Sequence, residues 1–227
     1  MIIGAGGLVL ALGGFALLLL VLLELRHRLR PRSPLRLEPG DWQLRREDGQ
    51  LQVQLQIKLV NSHARQEVMI PQIWATPTVL SSQAVDDVDL RVHVRQQQPH
   101  GKTRADGYWQ VPIVKAHQPM AACVELELHG QDLRKLQALW LEIGWLAYGP
   151  FGHLQQRHGL VVPLAKPAVE PQPVWQQGQG YQVLPLSTHL LSWLDDPLQV
   201  LKRYALPHVR PGDVVAIAET PLAVMQG

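Results

Sequence analysis

Leu51-Gln52-Val53-Gln54-Leu55-Gln56-Ile57-Lys58-Leu59-Val60 alternates apolar and polar side chains without a break from Leu51 to Leu59. Successive side chains of a β-strand point to opposite faces, so this run puts three leucines, a valine and an isoleucine on one face and three glutamines and a lysine on the other. The reading is a strand with one face in a core and one in water. The same grammar returns in Val88-Asp89-Leu90-Arg91-Val92-His93-Val94 and in the stretch from Met120 to Leu128.

Working outward, further strands are expected at Trp42 to Arg46, Val68 to Trp74, Trp109 to Val114, Leu139 to Trp145 and Leu160 to Leu164. Turn-forming Glu-Asp-Gly at 47–49, Ala-Asp-Gly at 105–107 and Gly-Pro-Phe-Gly at 149–152 separate some of them. Eight short strands with such punctuation and no long amphipathic helix predict a mainly β fold. Residues 38–165 are assigned to a β-sandwich, immunoglobulin-like in general shape. Gln131 to Leu139 is expected to form a short helix where the chain crosses between sheets. Seven tryptophans, mostly in or near strands, supply large apolar area for the core.

The flanks follow different rules. Residues 1–23 carry no charge, and as a helix they would extend about 34 Å against a hydrocarbon core of about 30 Å. Residues 1–24 are therefore expected to be a transmembrane helix. Arg26, Arg28, Arg30, Arg32 and Arg36 follow, opposed only by Glu24, in a basic juxtamembrane linker assigned to 25–37. That flank carries +4 of a whole-chain charge of +2, leaving −2 for the rest. The pI of 8.8 is thus a property of one flank, and a nucleic-acid partner is not expected. The expected partners are a lipid bilayer and an unidentified protein.

The positive-inside rule places the arginines and the following body in the cytoplasm, with the N-terminus outside. A cleaved signal peptide is the competing reading, but it normally has a basic start, a short apolar core and a small-residue cleavage site, and none of these is present. Cys123 is the only cysteine, which excludes an intrachain disulfide and a cysteine-based zinc site. It sits on the polar side of its strand and reads as an inert thiol.

Residues 166–180 are rich in proline and glutamine and read as an extended linker. Beyond them, Asp195, Asp196 and Pro197 signal a helix start, with Leu198, Leu201 and Ala205 on one face. Arg210-Pro211-Gly212-Asp213 predicts a type II turn, and Val214-Val215-Ala216-Ile217-Ala218 a buried strand.

The ordering from 181 to 227 resembles the N-terminal edge of coenzyme F-420 gamma-glutamyl ligases. The matching residues are Asp195 and Asp196, then Pro211, Gly212, Asp213, Val214, Val215, Ile217 and Ala218, and last Gly227. The resemblance implies an amide-forming ligase that uses GTP and a divalent metal to join glutamate to a deazaflavin phospholactate. It places most of the catalytic domain after this edge, so residues 181–227 are expected to be a partial segment without independent catalysis. GTP and metal would be needed only where a complete ligase-like domain follows, and no cofactor is assigned to this chain. The Glu219-Thr220-Pro221 stretch departs from the family pattern. The alternative is a non-enzymatic, membrane-tethered β-sandwich that binds a partner.

No catalytic residue and no metal ligand set is assigned elsewhere. Asp86, Asp87 and Asp89 lack calcium-loop spacing and read as a solvated loop. His153 and His158 have no acidic or cysteine partner nearby in sequence. Gly178-Gln179-Gly180 follows no clear strand, so a dinucleotide loop is not expected.

Overall fold

In the alternating strands every second side chain is apolar, and two such sheets can hide those faces only against one another. The computed structural model describes residues 5–28, 34–97, 109–169 and 174–227 and divides the chain into two units, Met1–Pro34 and Leu35–Gly227.

The first unit is a helix, α1 (Ala5–Arg28). Its described side chains are exposed, among them every leucine from Leu17 to Leu25. Among the described residues no helix is long and apolar enough to cross a membrane. The transmembrane span expected over residues 1–24 is therefore not supported.

The second unit holds two four-stranded antiparallel sheets. The first has the order β1-β2-β6-β4, with β1 (Leu35–Glu47), β2 (Gln50–Asn61), β4 (Val88–Gln97) and β6 (Pro119–Gly130). The second has the order β5-β3-β7-β8, with β3 (Val68–Ser81), β5 (Ile113–Val114), β7 (Leu136–Gly149) and β8 (Gly152–Pro163). The expected mainly β sandwich is what forms. Leu51, Val53, Leu55, Ile57 and Leu59 are fully buried, as are Val124, Leu126 and Leu128 opposite them on β6. Val88, Leu90, Val92 and Val94 pack against the same core from the edge strand β4.

Several expectations are corrected in detail. β1 begins at Leu35, so Arg36 belongs to the sandwich and not to the basic linker. The helix expected over Gln131 to Leu139 is a single 3-10 turn at Leu133–Lys135, after which β7 begins at Leu136. Leu133, Leu136 and Leu139 have helical spacing, but Leu139, Leu141, Ile143 and Trp145 also alternate, and burial against the core decides for the strand. β7 and β8 extend beyond the stretches expected, while only Ile113 and Val114 of the Trp109–Val114 stretch pair as a strand. The 105–107 turn lies outside the described residues.

Glycines open space on the outer face of the second sheet. An added Cβ at Gly144 would lie 2.2 Å from the Trp74 ring, and one at Gly159 would lie 2.1 Å from the Trp140 ring. Each indole thus lies against bare backbone on the neighbouring strand.

Asn61, fully buried at the end of β2, ties the connections together. Its Nδ2 donates to the carbonyls of Gln66 at 2.7 Å and Val114 at 3.1 Å, and its Oδ1 accepts from the His63 amide at 3.0 Å. One side chain therefore holds the loop after β2 and the strand β5. Removing it leaves buried partners unsatisfied. Asn61→Ala is expected to lower stability by about 2–3 kcal/mol, read as a shift of the urea midpoint in circular dichroism; a loss below about 0.5 kcal/mol would contradict this role.

Candidate functional site

The residues that carried the family resemblance fall in the C-terminal part of the second unit. There the chain forms a two-stranded hairpin, β9 (Gln176–Gln177) with β10 (Gln182–Val183), then α2 (Pro197–Tyr204) and α3 (Glu219–Gln226). Gly178-Gln179-Gly180 is the hairpin turn, closed by the Gly178 amide donating to the Tyr181 carbonyl at 2.8 Å. Of the expected linker, Pro171 and Pro173 lie outside the described residues.

Asp195 and Asp196 are adjacent in sequence but do unlike work. Asp196 is the N-cap of α2, its Oδ1 accepting from the Leu198 amide at 3.0 Å, with Pro197 in the first turn as expected. The buried face of α2 is Val200, Tyr204 and the following Ala205, while Leu198, expected on that face, is exposed. The axial shift has a simple cause: Val200 and Tyr204 are four apart and meet Met225 of α3 in a small second core.

Asp195 points inward. Its Oδ1 lies 2.9 Å from His189 Nε2, and its Oδ2 accepts from the Ser192 amide at 2.9 Å and from the Ser192 hydroxyl at 3.3 Å. The other ring nitrogen, His189 Nδ1, is 2.8 Å from the Tyr204 hydroxyl. A carboxylate only accepts, so Nε2 carries the proton, and in the neutral ring Nδ1 accepts from tyrosine. His189, Ser192, Asp195 and Tyr204 are all buried. Sequence reading missed His189, Ser192 and Tyr204, whose spacing in an irregular segment has no period to reveal it.

This arrangement is a pin and not a nucleophilic triad. Ser192 faces the carboxylate, and both imidazole nitrogens are already occupied, so no base is directed at a hydroxyl nucleophile. Beside it, Trp193 and Leu194 pack on the sandwich core, and Trp193 stacks on His158 of β8 with ring centroids 5.3 Å apart. Burial pushes the His158 imidazole below its ordinary value. His153 and His158 project to opposite sides of β8, and His153 stacks on Tyr148 instead.

Pro211, Gly212 and Asp213 form the expected turn. The Asp213 amide donates to the Arg210 carbonyl at 3.0 Å, Gly212 takes the positive φ of 96° that the turn requires, and Asp213 Oδ2 accepts from the Arg210 amide at 2.8 Å. The strand expected at 214–218 does not form. Among the described residues it has no ladder partner, and Val214 is 92% exposed and Val215 is 44% exposed. Gly227 closes α3 at a φ of 86° against the Trp193 ring. Between the hairpin and the turn lies a cleft of about 1140 Å³, bordered by Trp175, Tyr181, Val183, Arg210 and Val214.

Of the arginines expected at a membrane flank, Arg26 is exposed on α1, Arg28 ends that helix, and Arg36 pairs with Glu38 in β1 at 4.0 Å. Arg30 and Arg32 lie outside the described residues. Cys123 sits on the outer face of β6 between Gln56 and Arg95, its thiol pushed up by burial first and by the Glu125 charge second. Asp87 adopts a φ of 72° in the loop before β4, and Asp89 pairs with Arg91 at 3.2 Å. Among the described residues no three His, Cys, Asp or Glu side chains group to hold a metal ion.

Burial alone would raise the Asp195 carboxyl; the bond from His189, the Ser192 amide, the attraction of His189 and the Ser192 hydroxyl outweigh it and hold the carboxyl below its ordinary value. A folded value below the unfolded one means stability that is complete above about pH 4 and lost as pH falls through the folded value. Amide exchange over residues 189–204 is expected to accelerate on moving from pH 6 to pH 3 after correction for intrinsic rates. Asp195→Asn is expected to cost about 1–3 kcal/mol at pH 7 and to flatten that acid dependence; an unchanged acid profile would contradict the pin.

A family model described as F420-0:gamma-glutamyl ligase, N-terminal Ig-like domain, matches residues 36–166. Those bounds fall within three residues of the paired strands from β1 at Leu35 to the end of β8 at Pro163. No curated protein matches the chain. A crystal structure of the yeast GGA1 GAE domain–P21 is similar at 11% identity and a TM-score of 0.33, covering 60% of this chain and 96% of that one.

Proposed function

The chain belongs to the family of F420-0:gamma-glutamyl ligase N-terminal Ig-like domains, and from that membership we propose that it is the N-terminal part of a glutamate-adding ligase, not catalytic at this length. In this reading the sandwich is the scaffold, and residues 181–227 are the leading edge of the ligase-like part. Amide formation, with GTP and a divalent metal, would need a complete ligase-like domain after this edge. The observation that carries the reading is the family match over the paired sheets.

Acyl-phosphate chemistry needs carboxylates converging on a cation to neutralise phosphate charge. Here Asp195 is bound to His189 and Ser192, Asp196 caps α2, and Asp213 closes its own turn. Each family-like carboxylate is spent on local structure, so this donor set does not fit a divalent cation. Residues 1–227 incubated with F420-0, glutamate, GTP and manganese are expected to give no glutamylated product by mass spectrometry. Turnover by this chain alone would overturn the reading.

Membrane attachment is the finer part of the proposal. It is supported by the uncharged residues 1–23 and by Arg26, Arg28, Arg30, Arg32 and Arg36 after them. The N-terminus would lie outside and the sandwich in the cytoplasm. The expected result is that the protein stays with membranes after alkaline carbonate extraction and that a C-terminal reporter is active only in the cytoplasm. Release into the supernatant would contradict attachment, and an externally active reporter would contradict the orientation.

A further inference from the structure

A sandwich needs apolar side chains only on its two inner faces, and water accepts polar ones on the outer faces. The first sheet follows this rule. Its outer face carries Gln43, Gln54, Gln56, Lys58, Glu125 and Glu127, and among the described residues no large apolar side chain of that sheet is exposed. The second sheet departs from it: Met69 of β3, Ile113 of β5, and Trp140 and Tyr148 of β7 are all exposed. Trp140 and Tyr148 are an even number of residues apart on one strand, Tyr148 pairs with Met69, and Met69 pairs with Ile113, so the four share the outer face. Exposed apolar side chains gathered on one face, and not scattered singly, mark an interaction surface.

Glycine levels the relief of this face. Trp74 leans over Gly144 of β7 and Trp140 over Gly159 of β8, at positions where an added Cβ would lie 2.2 Å and 2.1 Å from the rings. In the β7–β8 ladder Gly144 is opposite Arg157, and Gly159 is opposite Glu142. These two rows form a checkerboard, with indoles on one diagonal and charges on the other. Along the charged diagonal Arg157 Nη1 donates to Glu142 Oε1 at 3.1 Å, and the two side chains stay 58% and 34% exposed.

That pattern is complementary to itself. A two-fold axis lying in the face along the Gly144–Gly159 diagonal brings each indole onto its own counterpart and exchanges Glu142 with Arg157. Indole then stacks on indole, and each guanidinium meets the carboxylate of the other copy. The charges of the checkerboard cancel, so neither a basic nor an acidic partner is selected over a second copy. We propose that the outer face of the second sheet is an isologous interface between two copies of this chain, centred on Trp74, Trp140, Glu142 and Arg157.

The test is sedimentation equilibrium on the full chain in a density-matched detergent, which is expected to show a concentration-dependent dimer. Glu142→Arg and Arg157→Glu each set like charges across the axis, and each is expected to weaken dimerisation by about tenfold or more. An exposed ion pair contributes little to the fold, so both variants are expected to keep the melting temperature of the unaltered chain. Mixed in equal amounts, the two variants face one another with opposite charges and are expected to restore the dimer, which a folding defect would not do. Lys58→Glu, on the outer face of the first sheet, is expected to leave dimerisation unchanged. A chain that stays monomeric overturns the interface, as does a dimer that both charge reversals leave intact. Failure of the mixed variants to associate, or an equal loss from Lys58→Glu, overturns it as well.

Discussion

Everything in the second unit depends on the pairing of β2 with β6 in one register. Val53 faces Leu126, Leu55 faces Val124 and Ile57 faces Ala122, all buried, while Gln52, Gln54 and Gln56 lie on the water side. A slip by one residue would exchange the two sets and bring the glutamines inside. Because β2 also pairs with β1, and β6 with β4, the register of the whole first sheet is fixed by this central ladder. The second sheet then closes over the apolar face. Arg46 links the two ends of the sandwich by donating from Nη2 to the Leu164 carbonyl at 2.6 Å.

That core is also what the C-terminal segment leans on. Trp193 and Leu194 pack against it, and the buried His189–Asp195 contact sits immediately beside them. The segment has only a small core of its own, built on Val200, Tyr204 and Met225. Its shape is set by side chains bonded to nearby backbone: Asp196 at the start of α2, Ser192 and Asp195 before it, and Asp213 in the turn after it. The same carboxylates that give the sequence its ligase-like look are consumed by this bonding.

What could be read in advance, and what could not, divides by the range of the interaction. Alternation is local, so the strands at 51–60, 88–94 and 120–128 were legible, as were the Asp196-Pro197 cap and the Pro211-Gly212 turn, whose residues act on their immediate neighbours. Residues 131–139 were misread because leucines at 133, 136 and 139 fit a helix while 139, 141 and 143 fit a strand, and only the position of the opposite sheet decides. The run at 214–218 has strand propensity but pairs with no strand among the described residues, and propensity alone makes no ladder. Leu198 is apolar like Val200, yet α3 arrives on the Val200 side. The Asn61 clamp and the His189 pin join residues through folded geometry and leave no periodic trace.

The central claim is that one paired core carries the unit. Amide exchange measured across the whole chain at a single pH tests it most directly. The slowest amides are expected at the centres of β2, β6 and β7, exchanging only with global unfolding. A protected core located instead within residues 181–227, or rapid exchange through β2 and β6, would contradict it.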